Sequence, residues 1–317
     1  MTETIAPILS VRDLSVHYGT HTALDSINFS IKPREIIGLI GPNGAGKTSF
    51  IRTLCGRIRP AKGTIYVGGN ELVFGQDRRQ HIGLVPQDIG LYAHLNAYEN
   101  LEIFGRIAGV KSHALKENMS QALKAVEMEA KAHLPVGHMS GGMKRRINVA
   151  CALMHRPPLF ILDEPTAGVD SPARDTIHRL THMLARSGAA VLLITHELDQ
   201  AEALCDKILL LAEGQALAYE NPTELLSKCY GATREVSVRF SHPPSQDVLK
   251  ILAPYHFRQG ELATLWKTYT QASEAQFMNS FMISMQQRAH LMREISVRHP
   301  GLNNLIHHVE CHGALPS

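Results

Sequence analysis

One octet, Gly41-Pro42-Asn43-Gly44-Ala45-Gly46-Lys47-Thr48, limits the folds open to this chain more than any other feature. It fits G-x-x-x-x-G-K-[S/T]. The apolar run Glu35–Ile40 before it predicts a buried strand, and Thr48–Leu54 after it predicts a helix. In that setting the glycines let successive backbone N–H groups turn inward on phosphate oxygens. The following helix aims its positive end at the same anion. Lys47 reaches toward β- and γ-phosphates, and the Thr48 hydroxyl is suited to a Mg²⁺ ion. Alone, the loop predicts nucleotide binding and no particular reaction.

The rest of the chain supplies a matching scaffold. Leu159–Leu162, Ala190–Thr195 and Lys207–Leu211 are continuous apolar runs of strand length, with helical stretches such as Ala173–Arg186 between them. Uninterrupted apolar strands alternating with helices predict a parallel α/β sheet covered on both faces. Residues 8–35 and 63–75 read as short antiparallel strands. Residues 88–138 are helix-rich (Ala97–Ile107, Ser112–Glu129) and predict a helical subdomain inserted into the sheet pattern. Beyond Cys229 the pattern changes. Glu235–Phe240 reads as a strand, Gln246–Leu252 as a helix, and His256–Tyr269 as a hairpin turning at Gln259-Gly260. Ser273–Ala289 then reads as a helix and Leu291–Val297 as a strand. That β-α-β-β-α-β order predicts a small ferredoxin-like lobe. The expected domains are therefore 1–229, a nucleotide-binding α/β core, and 230–317, an accessory α+β lobe.

Composition removes several alternatives. A formal charge of +3 is too small to argue for nucleic acid, and none is expected as a partner. Five scattered cysteines without C-x-x-C spacing predict neither a disulfide framework nor a zinc site, and fit a reducing compartment. The start MTETIAPILSVRDLS does not read as a secretory signal. No apolar run approaches the roughly 20 residues of a membrane helix, so any membrane crossing is expected from another chain.

Two further motifs carry chemistry. Asp163-Glu164 ends the apolar run Leu159–Leu162. Asp163 is suited to hold Mg²⁺, and Glu164 to polarise an attacking water as general base. Ser140-Gly141-Gly142 precedes the amphipathic stretch Met143–Met154. A serine and two glycines opening a helix make either a helix cap or a second anion cradle. A chain with one phosphate loop needs only one cradle of its own, so the second would serve nucleotide held by another copy.

Taken together, these residues resemble the ABC ATPase family over residues 7–229. By that resemblance Gly41–Thr48 is the Walker A loop, Leu159–Asp163 the Walker B strand and Glu164 the catalytic glutamate. Gln87, in VPQD, corresponds to the Q-loop glutamine, and Ser140–Gly142 to the signature core. Asp170, in AGVD, corresponds to the D-loop, His196, in LLITHE, to the switch histidine, and Tyr18, in SVHYGT, to the residue stacking on adenine. The resemblance implies catalytic roles for Glu164, His196, Lys47 and Gln87, and metal contacts from Thr48, Gln87 and Asp163. It implies nucleotide contacts from Tyr18, Gly41, Asn43, Gly44, Ala45, Gly46, Lys47, Thr48, Ser49, Gln87, Ser140, Gly141, Gly142 and Asp170. Met143 replaces the usual glutamine of L-S-G-G-Q. With SGGMKRR, Asn148 and AGVDSPAR, it is similar to the daunorubicin-resistance-like branch that powers drug, polysaccharide and lipid exporters. The tail Val297–Ile306 is similar to that branch's closing P-x-L-E-D-V-F segment, with Asn303 and Asn304 in place of its acidic pair.

The expected protein is an ATP- and Mg²⁺-dependent ATPase, one half of a homodimer that sandwiches two nucleotides. It would drive a separate transmembrane permease, through Gln87 and residues 88–138, from the cytoplasmic face of the membrane. The alternative, a soluble ABC ATPase acting on DNA or ribosomes, predicts long heptad coiled coils between the two Walker motifs, or two cassettes in one chain. This sequence carries neither.

Overall fold

The structure, a computed structural model, describes residues 6–78, 80–286 and 288–316. The chain divides into two compact units, one built on residues up to Pro222 and one on Thr223–Cys311.

The first unit runs β1 (Leu9–Tyr18), β2 (His21–Ile31), β3 (Ile36–Ile40), α1 (Lys47–Leu54), β4 (Lys62–Val67), β5 (Asn70–Glu71) and β6 (Ile82–Val85). It continues through α2 (Ala97–Ile107), α3 (Ser112–Ala125), α4 (Gly141–Leu153), β7 (Leu159–Asp163) and α5 (Ser171–Arg186). It closes with β8 (Ala190–Ile194), α6 (Leu198–Leu204), β9 (Lys207–Ala212) and β10 (Gln215–Glu220). Among the described residues, β2-β1-β4-β5 form an antiparallel sheet and β10-β9-β3-β8-β7-β6 a larger one. In the larger sheet β9, β3, β8, β7 and β6 are parallel. The core lies between the two sheets, where Leu14, Ile27 and Ile31 meet Ile37, Leu39, Leu209 and Phe50. Every residue of β3 is buried. A fully buried aliphatic side chain stabilises by about 1.5–3 kcal/mol, so β3 is a fixed support for the loop that leaves it.

The helical insertion lies between β6 and β7, and its two ends meet. Val136 N donates to Leu95 O and Gly137 N to Ala93 O, beside a bridge between Asn96 and Pro135. Asn96 and Glu99 form a reciprocal capping box that starts α2. The Oδ1 of buried Asn100 accepts from Tyr92 N at 2.8 Å and its Nδ2 donates to Tyr92 O at 3.1 Å.

The second unit contains α7 (Pro222–Tyr230), β11 (Arg234–Phe240), α8 (Gln246–Leu252), β12 (Arg258–Gln259), β13 (Leu265–Thr270), α9 (Glu274–Met285), β14 (Met292–Arg298) and α10 (Leu302–His312). Its sheet has the order β12-β13-β11-β14 with antiparallel neighbours. Val236, Val238 and Phe240 of β11 pack on Val248 and Leu252 of α8 and on Phe277, Phe281 and Met285 of α9.

Several boundaries differ from the sequence expectation. Gln259 pairs with Trp266, so the hairpin turns over residues 260–265, beyond Gln259-Gly260. The helix expected over Ser273–Ala289 ends at Met285, followed by a short turn at Ala289–Leu291; Gln287 lies outside the described residues. Strand β10 and helix α10 were not anticipated.

Candidate active site

The carboxyl ends of β3, β8, β7 and β6 lie side by side, and each leads into one of the singled-out segments. This is where open α/β sheets bind ligands. The segments are Gly41–Thr48 after β3, Thr195-His196 after β8, Asp163-Glu164 at β7 and Pro86-Gln87 after β6.

The loop after β3 depends on glycine at its first position. Gly41 has φ 151°, and a Cβ there would sit 2.0 Å from the Leu211 carbonyl oxygen. No side chain fits. The loop ends at Gly46, which opens α1, and Phe50 N donates back to its carbonyl. Lys47 Nζ donates to the Gly41 and Pro42 carbonyls at 2.5 and 2.9 Å, which folds the ammonium over the loop. Thr48 and Asn43 are exposed, while Ala45 is buried on the core side. Tyr18, half-exposed on β1, places its hydroxyl 3.3 Å from Ser49 Oγ, so the two expected nucleotide-contacting side chains meet.

Asp163 and Glu164 differ in setting. Burial, then the neighbouring Glu164 charge, raises the Asp163 carboxyl above its ordinary value; Arg145 and Lys47 oppose the shift. Glu164 has a left-handed backbone, φ 48°, and is only 9% exposed. A residue with a side chain rarely adopts that conformation unless its surroundings force it. Its N–H donates to Ile194 O at 2.9 Å and so ties it to the end of β8. His196 Nδ1 lies 2.7 Å from Glu164 Oε2, in ion-pair range, while that buried oxygen accepts no properly directed hydrogen bond. His196 is itself 73% exposed by its side chain, facing the open edge of the site.

Ser140 and Asp170 are both helix caps here. Ser140 Oγ accepts from Met143 N at the start of α4, and Asp170 Oδ1 accepts from Ala173 N at the start of α5. The two caps are neighbours: a Cβ on Gly142 would stand 3.0 Å from Ala173 Cβ and 3.4 Å from Asp170 Oδ1. Gly141 is exposed beside them. Gln87 lies exposed just past β6, and its carbonyl accepts from Arg145 Nη1 at 2.9 Å. Thus Lys47, Asp163, Glu164, His196 and Gln87 gather at one sheet edge, whereas Ser140–Gly142 and Asp170 gather at the starts of α4 and α5.

Two arginines escaped the sequence reading. Arg145 is buried on α4 and binds the carbonyls of both the 86–87 and 163–165 segments. Arg78, 6% exposed, donates to Thr53 O and Leu54 O, the C-terminal carbonyls of α1, and to Leu72 O. A cation there complements the negative end of the helix that carries Lys47. Neither has a distinctive motif. Arg145 sits in the run Lys144-Arg145-Arg146, which by composition reads as a solvated face.

The family described as ABC transporter matches residues 24–167. A Nod factor export ATP-binding protein I from Ralstonia nicotianae is 39% identical over 222 residues, covering 70% of this chain and 69% of that protein. The linearmycin resistance ATP-binding protein LnrL of Bacillus subtilis is 38% identical over 229 residues, covering 71% of this chain and 73% of its own length. Among solved structures, an ATP-binding subunit of an ABC transporter superposes with a TM-score of 0.64 at 30% identity, over 70% of this chain and 92% of that one. The dimeric cassette MJ0796, bound to ADP and Pi in a post-hydrolysis state, gives 0.60 at 25% identity, over 67% and 98%. The chain belongs to the ATP-binding, ATP-hydrolysing subunits of ABC transporters.

Proposed function

We propose that two copies of this subunit close around two ATP molecules and use their hydrolysis to power export through a separate permease. The observation that carries the reading is Glu164. It is held in a left-handed conformation, with its carboxylate 2.7 Å from His196 Nδ1, at the sheet edge that also carries Lys47. Such a carboxylate is fixed before substrate arrives, as a base that must align one water requires.

In this reading Gly41–Thr48 and Ser49 cradle the phosphates and Tyr18 covers the adenine. Lys47 leaves the Gly41 and Pro42 carbonyls for the β- and γ-phosphate oxygens. Glu164 takes a proton from the attacking water, and His196 holds the γ-phosphate on the far side. Ser140, Gly141, Gly142 and Asp170 serve the nucleotide of the second copy. Their position at two adjacent helix N-termini supports this, because such ends attract anions. Mg²⁺ fits the hard oxygen donors of Thr48, Asp163 and Gln87, and a cation would offset the burial and the Glu164 charge that raise the Asp163 carboxyl. Bound there, it would neutralise charge developing on the phosphate. The division of labour is mostly positioning and charge.

Export is supported by the two relatives, named for Nod factor export and for linearmycin resistance. No helix of the described residues is long and apolar enough to cross a membrane. In this reading the permease is a separate chain and this subunit works at its cytoplasmic face. The strand order of the second unit supports a ferredoxin-like accessory lobe. Affinity purification of the tagged subunit from detergent-solubilised membranes tests the assignment. It should bring down a polytopic membrane protein that raises ATP turnover when the two are reconstituted. Recovery with DNA or ribosomes and no membrane protein would overturn it.

A further inference from the structure

Arg145 is 2% exposed and among the largest fully buried side chains of the chain. A guanidinium has five N–H donors, and here all five end on main-chain carbonyls. Nε donates to Pro165 O at 2.9 Å. Nη1 donates to Pro86 O at 2.7 Å and to Gln87 O at 2.9 Å. Nη2 donates to Asp163 O at 2.8 Å and to Glu164 O. Asn148, one turn further along α4, adds a bond to Pro86 O at 3.4 Å.

Burying a cation is costly unless its donors are satisfied and opposite charge is near. Both conditions hold: the donors are filled, and Asp163, Glu164 and Asp88 lie close enough to favour the charged form. The bonds are also unevenly useful. Three of the five hold residues 163–165, where the main chain passes through the left-handed Glu164. The other two hold the first residues after β6. A backbone conformation of that kind persists only where surrounding groups over-determine it, and Arg145 is the side chain that does so.

We infer that Arg145 is a positioning residue that joins the Gln87 segment to the Asp163–Pro165 segment, so that a displacement of one moves the other. This rests on reading Glu164 as the base. The fork is rigid and planar, so a shift of the 86–87 segment is passed through it to the carbonyls on either side of the Glu164 side chain. All five of its N–H groups end on those carbonyls, so Arg145 acts through them.

The test uses the full chain and a double-mutant cycle. Arg145→Lys keeps the charge but loses the fork, so no more than three of the five bonds survive. Arg145→Gln removes the charge and keeps two donors; it serves if the lysine variant fails to fold. Turnover should fall about 10- to 100-fold, the usual effect of a small misplacement at a reacting centre. The affinity for a fluorescent ATP analogue should stay within about threefold, because no P-loop bond is altered. Pro86→Gly, which loosens the first held segment, should also lower turnover in wild type. On top of Arg145→Lys it should lower it no further, since the connection is already broken. Wild-type turnover in both Arg145 variants would overturn the inference. So would parallel loss of nucleotide binding and turnover, or losses for Pro86→Gly and Arg145→Lys that simply multiply. Failure of the base reading shows separately, as undiminished hydrolysis in Glu164→Gln.

Discussion

The Nδ2 of Asn304, on α10, donates to the carboxylate of Glu235, a side chain with no exposed surface near the start of β11. The same carboxylate has Arg298 Nη2 at 3.2 Å and Lys267 Nζ at 3.4 Å. Asn304 Nδ2 also reaches Tyr269 Oη at 2.9 Å, and its own Oδ1 accepts from Gly301 N at the start of α10. The exporter branch that the sequence resembles has an acidic pair at this point of its tail, where this chain has Asn303 and Asn304. The contact gives Asn304 a physical reason: with a buried carboxylate opposite, the position needs a donor.

Asn304→Asp should therefore destabilise the second unit more than Asn304→Ala. The aspartate replaces a donor with a like charge against a buried anion, for a loss of about 1–3 kcal/mol. A like charge raises the carboxyl of that aspartate, so the loss should shrink as pH falls toward about 4, where a protonated Asp can donate again. Thermal melts of the three proteins at neutral and acid pH would show it. An aspartate variant as stable as wild type at pH 7 would contradict the assigned contact.

Asp163 carries a cost to stability in the folded chain. Burial and the Glu164 charge raise its carboxyl in the folded chain despite Lys47 and Arg145. A carboxyl raised on folding favours the fold where it is protonated, and its ionisation costs stability as pH rises through the raised value. Nucleotide-free Asp163→Asn should then melt above wild type at neutral pH. The gap should narrow toward acid, and ATP hydrolysis should be lost. A lower melting temperature at pH 7 would mean that the Lys47 attraction outweighs burial.

Ser140→Arg separates an anion cradle from a plain cap. Losing the cap costs about 1 kcal/mol, which calorimetry would register. Beyond that, the arginine should suppress hydrolysis about a hundredfold or more while leaving ATP affinity of the isolated chain unchanged. Lys47→Ala should be equally inactive through the other half of the site. Mixing the two variants rebuilds one intact composite site per mixed dimer, so activity should return in part. Mixed dimers that form normally but stay inactive would refute shared sites.

The large sheet and its edge were legible because each element carries a local signal. Ile36–Ile40, Leu159–Leu162 and Ala190–Ile194 are unbroken apolar runs that only a two-sided parallel sheet buries. The glycine loop has few possible conformations. Strand β10 was harder to read, since Gln215–Glu220 is partly exposed and has little apolar pattern. Its turn, Glu213-Gly214 with φ of 48° and 78°, lacks the Asn or Asp that usually marks a two-residue hairpin. Helix α10 did carry a signal: Leu302, Leu305, Ile306 and Val309 are all buried, at helical spacing. Read as the continuation of a tail motif, those residues concealed the periodicity. Arg145 was not legible at all, because its partners are carbonyls distant in sequence and nothing in a basic triplet says which member turns inward.

The most direct test of the account is the association state of Glu164→Gln. The glutamine keeps the side chain's size and removes the base and its negative charge beside the γ-phosphate. Lys47, Ser140 and the glycine loop are untouched, so ATP should bind, close the dimer and remain unhydrolysed. A ligand that favours the dimer must shift the equilibrium toward it. Size-exclusion chromatography with light scattering, with and without saturating Mg-ATP, should show a monomer becoming a stable dimer of about twice the mass, more fully than in wild type. A variant that binds ATP tightly and stays monomeric, or that hydrolyses ATP at the wild-type rate, would contradict it.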